Sequence, residues 1–214
     1  SGKTTIAKLL LRLYETNSGT IFMGDYNIND LNLELLRKKI GIVNQESFLF
    51  NSNIRDNICY GIDNPKSEQI ELAAKQSQAW EFIARMPKGF DTVVGERGQT
   101  ISGGQRQRIA IARTLMRKPE IIIFDEATSS VDNQTEQLIQ RALFAIREGR
   151  TSIIIAHRLS TIRNCDNIFV LKEGAVVEQG GHDSLLKNKD NYYSKLWKIQ
   201  TGKQEDEFDT IGNS

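Results

Sequence analysis

The 214-residue chain is 39% hydrophobic and 26% charged, with a formal net charge of +1. That balance buries a core and excludes a disordered chain, and the near-zero charge provides no field to gather nucleic acid or an anionic membrane surface. No run approaches the roughly 20 apolar residues of a membrane span, and the N-terminus lacks the apolar centre and cleavage pattern of a signal peptide. Cys59 and Cys165 lie far apart without metal-ligand spacing and read as ordinary thiols of a reducing compartment.

In chain order, "KTTIAKLLLRLYET" has apolar residues at helical spacing and stops before the turn "NSG". "TIFMG" reads as a short strand, "LNLELLRKKI" as a helix, and "GIVNQ" as a strand that stops at a polar pair. From "SNIRDNICYG" to "IARMPKGF" the pattern is helical, punctuated by Pro65 and Pro87. "SGGQRQRIAIARTLMRKP" predicts a helix with a small-residue start and a basic last turn before Pro119. "EIIIFDEA" has the short isoleucine-rich run of a strand buried on both faces, as in a parallel sheet, and "TSIIIAH" repeats it after the helical "NQTEQLIQRALFAIREG". "NIFVLKEGAVVEQGG" predicts two strands around "KEG", and "HDSLLKNKDNYYSKLWKIQ" one final amphipathic helix, with His182 as a helix-start residue. Strand and helix alternate at both ends while the middle is helical. The expectation is an α/β domain over residues 1–200 with a helical subdomain inserted at about 50–118, followed by a polar, disordered tail over 201–214.

Three stretches carry chemistry. Gly2, Lys3 and Thr4 match the last three positions of the phosphate-binding loop G-x-x-x-x-G-K-[ST], whose first glycine would lie upstream of Ser1. Asp125 ends a buried strand, at the edge where parallel α/β sheets bind ligands. An acid there can hold Mg²⁺, and Glu126 beside it can orient or activate a water. In "SGGQ", Ser102 to Gln105, two glycines at a helix start weaken the helix unless the backbone must approach something closely. Free N–H groups and the helix dipole favour an anion there, above all phosphate, and Ser102 supplies a hydroxyl donor at the N-cap. His157 follows the strand "TSIIIA" at the sheet edge that also carries Asp125.

"ISGGQRQRIAIART", then "IIIFDEATSSVD", then "IIIAHRLST" resemble the nucleotide-binding domain of an ATP-binding cassette (ABC) transporter, with Ile101 where the family's signature LSGGQ has leucine. The resemblance runs from Ser1 to about Gln200 and implies a P-loop NTPase, RecA-like parallel sheet core with an inserted helical subdomain, part of the N-terminal β region missing. It implies ATP and Mg²⁺ as ligands. Lys3 would contact the β- and γ-phosphates, Ser1, Gly2 and Thr5 would help surround them, and Thr4, Gln45 and Asp125 would serve the Mg²⁺. Glu126 matches the catalytic glutamate, Gln45 the Q-loop glutamine beside the attacking water, and His157 the switch histidine at the γ-phosphate. Ser102, Gly103, Gly104 and Gln105 match the signature that touches a nucleotide held by a partner domain, and Asp132 the D-loop across that interface.

"TVVGERG", Thr92 to Gly98, and "ESFLFNSNIRDNICYG" are similar to the exporter class, in which Glu96, Arg97 and the Gln45 region face a transmembrane domain on the same polypeptide. The implied function is the ATPase motor of an exporter at the cytoplasmic face of a membrane, a bacterial inner membrane by expectation. Its partner is a second nucleotide-binding domain, identical or not. A chain starting within the phosphate loop would bind ATP weakly or not at all. A soluble ABC ATPase outside transport, or an importer subunit, stays open as the alternative.

Overall fold

The isoleucine-rich segments build the sheet, and the residues between them cover it. The computed structural model describes residues 2–44, 47–125, 133–147, 149–156 and 158–202, with the side chains of 133–136 and 145 also left aside. Two compact units are present, Thr4–Ala156 and Ser1–Lys3 with His157–Ser214.

In the first unit, helix α1 (Lys3–Leu10) leads into a small antiparallel pair, β1 (Phe22–Met23) and β2 (Tyr26–Asn27), then α2 (Leu33–Lys39) and strand β3 (Ile40–Asn44). Only the first strand of that pair is expected from the sequence; Tyr26–Asn27 is too short to show a period. Helices α3 (Ile54–Ile58), α4 (Ser67–Gln76), α5 (Trp80–Arg85) and α6 (Gly103–Met116) follow, with short 3-10 turns between the last two. Strand β4 (Ile121–Asp125), helix α7 (Asn133–Ile146) and strand β5 (Thr151–Ile155) complete it. The strands lie parallel in the order β3-β4-β5, in register from Ile40↔Ile121↔Thr151 to Asn44↔Asp125↔Ile155.

Side chains alternate across a strand, so β4 divides its residues between two cores. Ile122 and Phe124 pack with Ile109, Ile111 and Ala112 of α6 and with Ile139 and Leu143 of α7. Ile121 and Ile123 join Ala7 and Leu11 at α1 and Leu36 of α2 on the other face. Ile122, Ile123 and Phe124 are all at most 1% exposed, so each contributes about 2 kcal/mol of burial, and both faces of the strand are covered. Helix α1 is also tied down at its far end. Arg37 donates from Nε to the Leu11 carbonyl at 3.0 Å and from Nη2 to that of Arg12 at 3.1 Å, setting a cation at the negative helix terminus. Arg12, in left-handed backbone at φ 48°, donates to the Ile28 and Leu31 carbonyls at 3.2 and 2.7 Å.

The second unit holds the antiparallel hairpin β6 (Ile168–Lys172) and β7 (Ala175–Gly180), then α8 (His182–Leu186) and α9 (Tyr192–Thr201). Here the sequence reading needs correction: the single final helix is two. Asn188 Oδ1 accepts the Asp190 N–H at 3.0 Å, an Asx turn that competes with helical bonding, while Ser194 Oγ donates to the carbonyls of Leu185 at 3.0 Å and Asn188 at 2.9 Å. Helix α9 restarts with the N–H groups of Tyr192 and Tyr193 donating to the carboxylate of Glu178, from the hairpin. His182 does begin α8. It is also buried, with Nδ1 2.8 Å from the Tyr193 hydroxyl and its ring edge-on to Trp197.

Candidate functional site

The register of the parallel sheet sets one end of the site. Asn44, Asp125 and Ile155 stand side by side at the C-terminal edge, and by alternation Asp125 shares the face of Ile121 and Ile123, the face packed on α1. Asp125 Oδ1 is buried without a hydrogen-bond partner among the described residues. A buried acceptor left unpaired costs about 1–3 kcal/mol, which favours any ligand that can reach it.

Helix α1 on the same face begins behind Gly2, whose φ of 88° lies in the left-handed region that a glycine adopts without penalty. Thr4 and Thr5 are exposed on its first turn and Lys3 is half-buried. The dipole at an exposed helix N-terminus, with a lysine and two hydroxyls on it, favours an anion such as phosphate. The donor set also fits Mg²⁺, which takes hard oxygen ligands: a carboxylate from Asp125 and a hydroxyl from Thr4. Among the described residues no group of three or more His, Cys, Asp or Glu could hold a metal.

The second marked stretch, Ser102–Gln105, is built differently. Ser102 is the N-cap of α6; its Oγ accepts the Gln105 N–H at 3.2 Å, and Gln105 Oε1 accepts the Ser102 N–H at 3.0 Å. This is a reciprocal capping box, and its S-x-x-Q signal was present in the sequence, masked by the two glycines. The Ser102 hydroxyl proton and the N–H groups of Gly103 and Gly104 have no acceptor among the described residues, leaving donors at the positive end of a 14-residue helix.

The basic residues of α6 do something the sequence reading missed. Arg106 donates to the carbonyls of Gly98 and Ile101 at 3.2 and 2.8 Å, and Arg108 to those of Gly104 and Gln78 at 3.2 and 2.8 Å. Arg113 reaches the Asn57 and Phe48 carbonyls, both at 2.8 Å, and Asn57 Oδ1 at 2.7 Å, with its guanidinium over the Phe50 ring. Burial pulls the Arg113 guanidinium below its ordinary value, with Tyr60 acting in the opposite direction. These arginines fasten loops to the helix through backbone oxygens, an arrangement no side-chain pattern announces.

The two stretches open helices on opposite faces of one sheet, α1 with one core and α6 with the other. The helix that carries Thr4 and Thr5 thus packs on the sheet face that Asp125 shares, while the helix opened by Ser102–Gln105 packs with the other core. Glu96 and Arg97 are exposed on a 3-10 turn, Arg97 at φ 51°. Ser1, Gln45, Glu126, Asp132 and His157 lie outside the described residues.

Comparison with known proteins places these features in a family. Residues 1–129 match the family model described as ABC transporter. The mouse protein "ATP-binding cassette sub-family B member 10, mitochondrial" is 50% identical over 204 residues, 94% of this chain and 28% of that protein. The "ATP-dependent lipid A-core flippase" of Legionella pneumophila (strain Paris) is 51% identical over 200 residues, 94% of this chain and 34% of the flippase. A solved bacterial Atm1-family ABC exporter with ATP bound superposes with a TM-score of 0.88 at 46% identity, covering 94% of this chain and 35% of that one. The chain thus spans about a third of the length of such relatives.

Proposed function

The chain belongs to the ABC transporter family, and from that premise we propose that it is the ATP-binding and ATP-hydrolysing motor of an exporter. The observation that carries this reading is the partnerless, buried Asp125 Oδ1 at the end of β4, on the sheet face shared with α1. Exporter and flippase relatives at about half identity favour transport over a soluble ABC ATPase or an importer subunit.

In this reading Lys3, Thr4 and Thr5 hold the phosphates at the N-terminus of α1, where the lysine charge and the helix dipole oppose the charge of the transferring group. Asp125 and Thr4, with Gln45, would hold Mg²⁺, which when bound neutralises charge on the phosphate oxygens. Gln45 and Glu126 directly follow Asn44 and Asp125, which are paired in register, so the two residues leave adjacent strand ends. There Glu126 accepts a proton from the attacking water, and Gln45 orients that water. His157, two residues beyond Ile155 on the third strand, contacts the γ-phosphate.

The layer separation supports a two-domain site. Ser102, Gly103 and Gly104 present their donors to a nucleotide held by a second cassette packed head to tail, with Asp132 across the same interface. A homodimer would then have two competent sites. The exposed Glu96 and Arg97, with the Gln45 region, face a transmembrane domain of the same polypeptide. We place the motor at a membrane's cytoplasmic face; a bacterial inner membrane suits the flippase relative, and a mitochondrial one the mouse relative. The helical subdomain, about 50–118, carries the signature; the tail expected from 201 starts later, since Thr201 still belongs to α9.

The test is Glu126→Gln in the intact protein. ATP binding is retained, steady-state turnover falls at least about 100-fold, the usual scale for losing a general base, and the closed dimer accumulates. Unchanged ATPase activity would refute the assigned role.

A further inference from the structure

The turn ahead of the signature is held in a conformation that a free chain would not keep. Gly95, Arg97 and Gly98 all lie in the left-handed region, at φ 71°, 51° and 72°. Arg97 is the costly member, since a side chain at positive φ persists only where its surroundings over-determine it. Those surroundings are partly backbone: Gly98 N–H donates to Gly95 O at 3.2 Å, Ile101 N–H to Gly98 O at 3.2 Å, and Thr100 N–H to Val94 O at 3.3 Å. The side-chain hold comes from helix α6. Arg106 Nη1 alone bridges the Gly98 and Ile101 carbonyls, and its aliphatic stem lies against Gly98. A Cβ on Gly98 would sit 2.8 Å from Arg106 Cδ and 3.0 Å from Cγ, closer than real contacts allow.

Gly98 and Ile101 flank the step from the exposed Glu96–Arg97 turn into Ser102, and the Arg106 N–H donates its own helical bond to the Ser102 carbonyl at 2.9 Å. One residue thus joins the exposed turn, the N-cap and the first turn of α6. We propose that Arg106 is a positioning residue that makes the Glu96–Gly98 turn and the Ser102–Gln105 donors move as one body. It touches no nucleotide. Its effect is that displacement of Glu96 and Arg97 by whatever docks there is passed to the donors of Ser102, Gly103 and Gly104 instead of being absorbed in the loop. This inference rests on the motor reading above.

The chemistry of the clasp separates two substitutions. Both carbonyls are served by one terminal nitrogen, so the planar guanidinium fork is not used, and a lysine ammonium with three donors can take its place. Methionine keeps an apolar stem against Gly98 and loses the donors. In the intact protein, Arg106→Met is expected to lower kcat for ATP about tenfold, the scale of losing a charged hydrogen-bond donor, with KM for ATP within about twofold of the parent. Amide hydrogen exchange at residues 98–101 should rise about tenfold while β4 stays protected. Arg106→Lys should restore kcat to within about threefold. Parent-like kcat and exchange in Arg106→Met would overturn the proposal. So would loss of β4 protection in Arg106→Met, since the role would then be folding, and so would an Arg106→Lys variant as slow as Arg106→Met. A parent protein that turns over no ATP refutes the motor reading instead, and the exchange measurement still decides whether the clasp exists.

Discussion

The two stretches marked for phosphate chemistry are finished to different degrees. At Ser102 the capping side chains of Ser102 and Gln105 bond reciprocally to each other's backbone, and the donors that remain are those of the exposed Ser102 and Gly103 and the buried Gly104. At Asp125 a buried oxygen has no partner among the described residues. The first is a surface shaped before anything binds, held by its own capping box and by Arg106 and Arg108 on backbone carbonyls. In the proposed motor the second is a site whose polar balance a ligand would close. A half-site that must meet another molecule gains from being rigid beforehand. A site that binds an ion together with substrate has to keep an acceptor open, at a cost in stability of the empty protein.

The largest effect expected from breaking this contrast is at Asp125. Asp125→Asn keeps the shape and removes the charge. Steady-state ATPase should fall by at least about 100-fold, because the charge that complements the ion and phosphates is lost. The unliganded protein, by contrast, should melt no lower than the parent, since the amide keeps the shape at Oδ1, which has no hydrogen-bond partner among the described residues to lose. The gain in melting temperature that Mg²⁺ and ATP give the parent should disappear. A marked fall in stability of the empty variant would mean that Asp125 has a structural partner and that the contrast is false.

Ser102 sharpens the contrast by separating its two duties. Ser102→Ala removes the cap and should destabilise by about 1 kcal/mol. Ser102→Asp keeps the cap, because aspartate accepts the same N–H bonds as well as serine does, but places a negative charge among the donors. Stability should then stay within a few tenths of a kcal/mol of the parent, while ATP-dependent dimer closure is lost. Binding of one nucleotide to each isolated cassette should persist, since Thr4, Thr5 and Asp125 lie in the other layer. Normal closure in Ser102→Asp would remove the outward donors from the anion site.

These differences explain what was legible in the sequence. The strands were readable because Ile122–Phe124 are buried and so run without polar interruption, and Ile153–Ile155, though only half-buried before Ile155, keep the same apolar run. Asp125 was readable because an acid closing such a run has little other reason to be there. The capping box was spelled out in Ser102 and Gln105, but the glycines between them drew attention to anion binding alone. Arg106, Arg108 and Arg113 could not be read, since their acceptors are carbonyls, and every residue has one. Distance in sequence compounds this, with Arg113 reaching Asn57 and Phe48. The break between α8 and α9 was missed because the apolar residues keep helical spacing across it, while the Asx turn at Asn188 and the Glu178 carboxylate from the hairpin decide otherwise.

The smallest effect expected comes from a pair that is satisfied like the Ser102 cap yet has nothing to bind. His182 Nδ1 and the Tyr193 hydroxyl meet at 2.8 Å in the core of the second unit. Burial pushes the Tyr193 phenol above its ordinary value, with Cys165 adding to the shift and Arg163 opposing it. The unfolded chain ionises this phenol near about pH 10 while the folded chain keeps its proton. The stabilisation is therefore complete below that pH and is lost as pH rises from there through the folded value. Tyr193→Phe leaves the histidine nitrogen unpaired and should lower stability at neutral pH by about 1–2 kcal/mol. It should also flatten the alkaline fall, so that parent and variant melting curves converge as the pH rises above about 10. ATPase activity at neutral pH should follow the parent, because a buried polar pair that is complete within the fold supports the unit without serving the site. Curves that stay parallel across the alkaline range would show that the phenol ionises alike in both states, and that burial there has no hold on its proton.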